Sequence, residues 1–259
     1  MPSPAPTTPP TLADGLRGLG LRRTAADLSD FLTRATRSRW SPAVLLEELV
    51  RAEAQDRARR SLERRLSRAR LGRFKPMADF EWDWPKTLDR EAVERVLALG
   101  FLERGANVIL AAAQGLGKTM LAKNVAHQAV LGGAHVLCVT AADLLLDLGG
   151  QETTRALERR LRHYVEPRLL VIDEIGYLTF DNRAADRLFQ VVSRRYERRS
   201  ILLTTNLAFK DWGTIFPNAA CGTALIDRLT HHAEIITIAG ESYRRREAEA
   251  AQKARRVKP

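Results

Sequence analysis

An apolar run that ends in a glycine-rich turn and reopens on a lysine and a hydroxyl constrains this 259-residue chain more than any other feature. Val108-Ile109-Leu110-Ala111 reads as a buried strand, Ala112-Ala113-Gln114-Gly115-Leu116-Gly117 as a turn, and Lys118-Thr119-Met120 as the start of a helix. Small residues in such a turn let successive backbone N–H groups converge on phosphate oxygens, and the helix N-terminus adds partial positive charge. Residues 112–120 are therefore expected to cradle a nucleotide triphosphate, with Lys118 reaching the β- and γ-phosphates and the Thr119 hydroxyl ligating Mg²⁺. The pattern G-x-x-x-x-G-K-[ST] puts glycine at position 112, where this chain has alanine. At negative φ the alanine costs little; at positive φ it would cost about 1–2 kcal/mol.

The rest of the chain supplies a scaffold for such a loop. Apolar runs at 107–111, 136–140, 169–172, 201–205 and 235–238 alternate with helical patterns across 118–131, 153–164, 183–196 and 223–231. This alternation predicts an α/β fold, a parallel five-stranded sheet with helices on both faces. Leu169-Leu170-Val171-Ile172 runs into Asp173-Glu174. Asp173 at the strand end would hold Mg²⁺ through water, and Glu174 would polarise the attacking water as general base. Ile201–Thr205 ends at Asn206, placed to reach the γ-phosphate side; a turn-forming asparagine is the competing reading. Arg228 lies on the helix before the last strand, where a guanidinium reaches a neighbouring subunit's nucleotide or makes an ordinary surface ion pair.

Charge is distributed unevenly. The formal net charge is +11, and residues 1–76 contribute +8, residues 77–239 −1 and residues 240–259 +4. A neutral middle with basic flanks points to a phosphate-bearing partner. Five prolines in the first ten residues predict a disordered tail over 1–11. Short helical periodicity follows, and Ser41-Pro42 opens a long helix to about Leu71 whose apolar positions include Leu45, Leu49, Leu62 and Leu66. Arg57, Arg64 and Arg68 lie on another face of it, as a DNA contact or as a merely solvated face. Gly72 and Pro76 end the pattern, which sets a small all-α basic domain at 12–76, an ATPase domain at 77–240 and a basic tail at 241–259. No apolar run approaches 18 residues and the N-terminus lacks the features of a signal peptide, so a cytoplasmic protein without membrane contact is expected. Cys138 and Cys221 stand alone, indicating neither a disulfide framework nor a structural zinc site, and Cys138 is expected in a strand core.

The segments GLGKT, LLVIDEIGYL, SRRYERRSILLTTNLAFKDWGTIFP, LIDRLTHHAEII and ESYRRR resemble the IstB family of insertion-sequence transposition helpers, AAA+ proteins similar to the DnaC helicase loader. The resemblance runs from about residue 12 to residue 246. It implies an ATP- and Mg²⁺-dependent ATPase that binds duplex DNA with little sequence preference, forms homo-oligomers on it and recruits or regulates a transposase. By motif, Gly115, Gly117, Lys118 and Thr119 take the Walker A role, Asp173 and Glu174 the Walker B role, Asn206 that of sensor 1 and Arg228 that of the arginine finger. With only about 20 residues after the last strand, little of the usual carboxy-terminal lid is expected, and Arg244 to Arg246 are left between a nucleotide-side and a DNA-side role. Two alternatives share these motifs: a helicase loader, and an ATP-gated DNA scaffold with little hydrolysis. A small-molecule kinase fits poorly, since no segment offers an acceptor pocket and the basic flanks would be idle.

Overall fold

The computed structural model describes residues 11–177, 181–208, 211, 212, 215, 216, 219–243 and 245–247. The predicted tail falls almost wholly outside these residues. The chain divides into two compact units, 1–64 and 65–259.

The first unit is helical: α1 (Leu12–Gly18), α2 (Arg22–Ala26), α3 (Leu28–Arg37) and the start of α4 (Pro42–Ala69). Thr11 and Asp14 close a reciprocal capping box that starts α1. The core of the unit is small: Ala25, Phe31 and Ala35 are buried, and Phe31 meets Trp40 edge-to-face at 5.8 Å. A buried carboxylate adds a polar tie, because Glu53 on α4 accepts the Thr24 backbone N–H at 2.7 Å. Ser41-Pro42 does begin α4, which is continuous through the division at 64/65. The sequence offers no break there, since Gly72 and Pro76 end the helix and not the packing. Arg65 donates to the Val130 carbonyl at 3.2 Å and Asn124 to the Lys75 carbonyl at 3.0 Å, so the stretch that follows residue 64 belongs to the second unit.

The second unit carries the sheet. β1 (Asn107–Ala112), β2 (Val136–Thr140), β3 (Leu169–Asp173), β4 (Ser200–Thr205) and β5 (Ala233–Ile238) are all parallel, in the order β2-β3-β4-β1-β5. Their near-continuous apolar runs fit strands covered on both faces. Alternate residues serve opposite faces: Leu170 and Ile172 of β3 join Ile201 and Leu203 of β4 in one core cluster. That cluster is completed by α8 (Ala141–Gly149), α9 (Thr154–Val165), α10 (Asn182–Arg195) and α11 (Ala219–Thr230). On the other face α7 (Lys118–Leu131) packs against β1 to β4 and against α5 (Arg90–Leu97), which precedes the short α6 (Gly100–Glu103). The sequence pattern predicts one helix over 88–100 and none at α8. The run Ala141–Leu148 hides its periodicity because Leu144, Leu145, Leu146 and Leu148 crowd together, although only Leu144 and Leu148 are fully buried.

One arginine holds the far end of this sheet. Arg195 is fully buried and donates from Nη1 to the carbonyls of Tyr164, Val165 and Pro167 at 2.9 Å each, and from Nη2 to Ser200 at 2.5 Å. It thereby satisfies the orphan carbonyls at the end of α9 and ties them to the start of β4.

Candidate nucleotide site

The glycine-rich turn sits between β1 and α7 at the carboxyl end of the sheet. Gly115 (φ 76°) and Gly117 (φ 85°) take left-handed backbone that only glycine adopts without cost. Ala112 does not: it is the last residue of β1, paired with Ile238, so its methyl brings no strain and the departure from the loop pattern is neutral for the backbone. Lys118 is buried, and its Nζ donates to the carbonyls of Ala112 at 2.6 Å and Ala113 at 2.8 Å. The ammonium is thus held within the loop it would leave to meet a phosphate.

β4 lies between β1 and β3, so the acidic strand end faces the loop across one strand. Thr119 Oγ1 and Asp173 Oδ1 are 3.1 Å apart. The oxygens of a hydroxyl and a carboxylate suit a hard divalent cation such as Mg²⁺. Thr204 of β4, fully buried, organises both acids: its hydroxyl donates to Asp173 Oδ1 and accepts the Glu174 backbone N–H at 2.9 Å. Glu174 itself is exposed and left-handed (φ 65°), a conformation costly for a side-chain-bearing residue and concentrated at functional sites. Thr204 was missed in the sequence, although a hydroxyl at the polar end of a buried strand must find a partner.

Asn206 is placed one step further on. Its Oδ1 is buried, has no hydrogen-bond partner among the described residues and lies where a side chain on Gly176 would stand, in the turn after Asp173-Glu174. Arg228 lies by the start of β1, where its carbonyl accepts from the Asn107 side-chain amide, whereas the loop follows the end of that strand. Its guanidinium stacks on Phe189 of α10 at 4.4 Å, and Nη1 is buried without a hydrogen-bond partner among the described residues.

A cavity of about 310 Å³ opens from the loop, walled by Phe80, Trp84 and Tyr243 and bordered by Lys118, Thr119 and Glu174. Two distant segments build that wall. Thr87 and Ala239 exchange backbone hydrogen bonds at 3.1 and 3.0 Å, bringing residues 80–85 beside the chain leaving β5. Tyr243 then donates its N–H to the Gly115 carbonyl at 2.9 Å and its hydroxyl to Glu81 at 2.9 Å. Arg246 pairs with Glu81 at 2.9 Å and stacks on Trp84 at 4.3 Å. This strap gives Arg246 a place beside the nucleotide cavity; Arg244 lies outside the described residues. The signal for it was the aromatic density of Phe80-Glu81-Trp82-Asp83-Trp84 in a chain with 6% aromatics.

Gly115 is where strap and loop touch, since a Cβ there would run into Ser242 Oγ. Gly115→Ala adds left-handed strain of roughly 1–2 kcal/mol, relieved only if the loop changes shape, and a steric conflict that the strap must meet by moving Ser242. Nucleotide affinity is expected to fall about tenfold in a fluorescent-nucleotide titration. Unchanged affinity would mean the contact is dispensable.

A second crevice, of about 500 Å³, lies on the β2 side of Asp173 and includes Cys138. Burial pushes that thiol up to about 12, so it is a core residue and not a nucleophile.

Of the candidate DNA residues, Arg57, Arg64 and Arg68 are exposed on α4 and pair with no carboxylate among the described residues. Arg59, close by, pairs with Asp56 and Glu63, and Arg60 pairs with Asp56. At 3.6 residues per turn Arg57 and Arg64, both of the first unit, fall within about 20° of one another around the helix.

Strand order, glycine loop and acidic strand end together define a P-loop protein of the AAA+ type. More particularly, the chain belongs to the IstB-like ATP binding protein family, whose model matches residues 14–251. The IS21 putative ATP-binding protein of Pseudomonas aeruginosa is 39% identical over 202 residues, 78% of this chain and 76% of that one. The IS5376 putative ATP-binding protein of Geobacillus stearothermophilus is 37% identical over 78% of this chain and 80% of its own. Among solved structures, DnaI superposes with a TM-score of 0.53 over 64% of this chain and 89% of its own at 18% identity, a likeness of fold. No helix among the described residues is long and apolar enough to cross a membrane.

Proposed function

We propose that this chain is a Mg²⁺-dependent ATPase of the cytoplasm that assembles on duplex DNA and assists the transposase of its own insertion element. The observation that carries the ATPase reading is that the Thr119 hydroxyl of the Lys118 loop meets Asp173, while the Thr204 hydroxyl ties Asp173 to the Glu174 backbone N–H. Residues 112–120 would receive the triphosphate, and Lys118 would exchange its loop carbonyls for phosphate oxygens. Thr119 and Asp173 would hold Mg²⁺, which neutralises charge on the β- and γ-phosphates when bound. Glu174, its backbone fixed by Thr204, orients and deprotonates the attacking water; Asn206, beside Gly176 in the turn after Glu174, would help place it. Arg228, remote from its own loop, completes the site of the next subunit, so that hydrolysis requires assembly and afterwards dismantles it.

The printed names of the curated relatives, ATP-binding proteins of insertion sequences, support the transposition context. Contacts to phosphates rather than bases would give tolerance of sequence. Changing Arg57, Arg64 and Arg68 together to Ala is expected to lower the slope of log affinity against log salt by about 2.7, at about 0.9 per phosphate contact, with ATP binding unchanged. An unaltered slope in a duplex-binding titration would remove α4 from the DNA surface. Partner identity is read by co-purification, with the element's transposase retained and a replicative helicase not.

A further inference from the structure

The pair His231-His232 in the LTHHAE segment has no part in the nucleotide chemistry, yet the fold gathers it with a carboxylate. Glu197 (φ 57°) follows the end of α10, and His232 (φ 58°) follows the end of α11. Consecutive side chains ordinarily diverge; the left-handed backbone at His232 instead lays its ring beside that of His231, with centroids 3.8 Å apart. Glu197 Oε1 stands 3.7 Å from His231 Nδ1 and 4.0 Å from His232 Nε2. All three side chains are exposed, and one ligand atom of each lies within 4.8 Å of the others.

We propose that Glu197, His231 and His232 form a surface site for a divalent transition-metal ion of the Zn²⁺ class. Two imidazoles and one carboxylate are a three-ligand donor set that leaves a position for water. Metal–ligand bonds of about 2.0–2.2 Å in a tetrahedron set the ligand atoms about 3.4 Å apart. Closing from the observed separations takes only side-chain rotation at the surface. Nitrogen donors also separate this site from the nucleotide's Mg²⁺, which prefers oxygen. A bound ion would fasten the ends of α10 and α11 together three residues from Arg228.

One hydrogen bond opposes the metal. Tyr196 Oη lies 2.7 Å from His231 Nδ1, the nitrogen nearest Glu197, and its ring stacks on that imidazole. A metal site and a purely structural latch therefore respond oppositely to Tyr196→Phe, which frees the nitrogen in the first case and cuts the latch in the second.

The test is Zn²⁺ titration of the full, tag-free chain against a chromogenic chelator. One equivalent is expected to bind, at least about tenfold more weakly in His232→Ala and in Glu197→Gln, tighter in Tyr196→Phe, and as in the parent in His127→Ala and Cys221→Ser. Nucleotide titration of the same variants reports that the fold is kept. The proposal is overturned if no equivalent binds, if binding survives both ligand variants, if Cys221→Ser abolishes it, or if Tyr196→Phe weakens it.

Discussion

Glu174→Gln is expected to lower steady-state ATP hydrolysis about 10²–10⁴-fold, the usual contribution of a positioned general base, with nucleotide affinity nearly unchanged. The amide keeps the size and the left-handed backbone of the residue and loses only basicity. Binding should be spared because the triphosphate is held by the loop and Lys118, not by the carboxylate. Measuring turnover and affinity on the same preparation, with and without duplex DNA, separates the ATPase reading from an ATP-gated scaffold. A parent protein that binds ATP and never turns over would favour the scaffold; equal loss of binding and turnover would mean that Glu174 holds the loop together.

The second large effect concerns Arg228. If its guanidinium serves the neighbouring site, Arg228→Ala should cost ~10³–10⁵ in turnover, the range for a trans-acting arginine. It should leave ATP binding by the isolated chain intact, because Arg228 rests on Phe189, away from its own loop. Mixing supplies the sharper reading. Lys118→Ala and Arg228→Ala proteins are each inactive alone, but in a mixed assembly the intact arginine of the first meets the intact loop of the second. Part of the activity should return. If none returns while mixed assemblies form, Arg228 acts within its own chain or only holds α10 to α11.

What the sequence made legible followed from local patterns. The loop 112–120 and the acid pair 173–174 were readable because each motif is contiguous and lies next to an apolar run that could only be a buried strand. The parallel sheet followed from alternation alone. What escaped depended on contacts between distant segments. Thr204 looked like any strand threonine until the sheet order set β4 between β1 and β3, with its hydroxyl against Asp173. The aromatic density of residues 80–84 marked one half of the strap, but its junction with the chain after β5 needs the pairing of Thr87 with Ala239, which no local periodicity announces. The division at 64/65 was hidden inside an unbroken helix, where packing changes and propensity does not. Helical spacing picks out Arg57, Arg64 and Arg68; the structure adds that Arg59 and Arg60 pair with Asp56.

Whether ATP in the Lys118 loop licenses assembly on duplex DNA is read from sedimentation of the chain with a duplex. With ATP and Mg²⁺ a discrete complex holding several copies of the chain per duplex is expected, absent without nucleotide and absent for Lys118→Ala. A single copy per duplex, or the same complex with and without ATP, would contradict it.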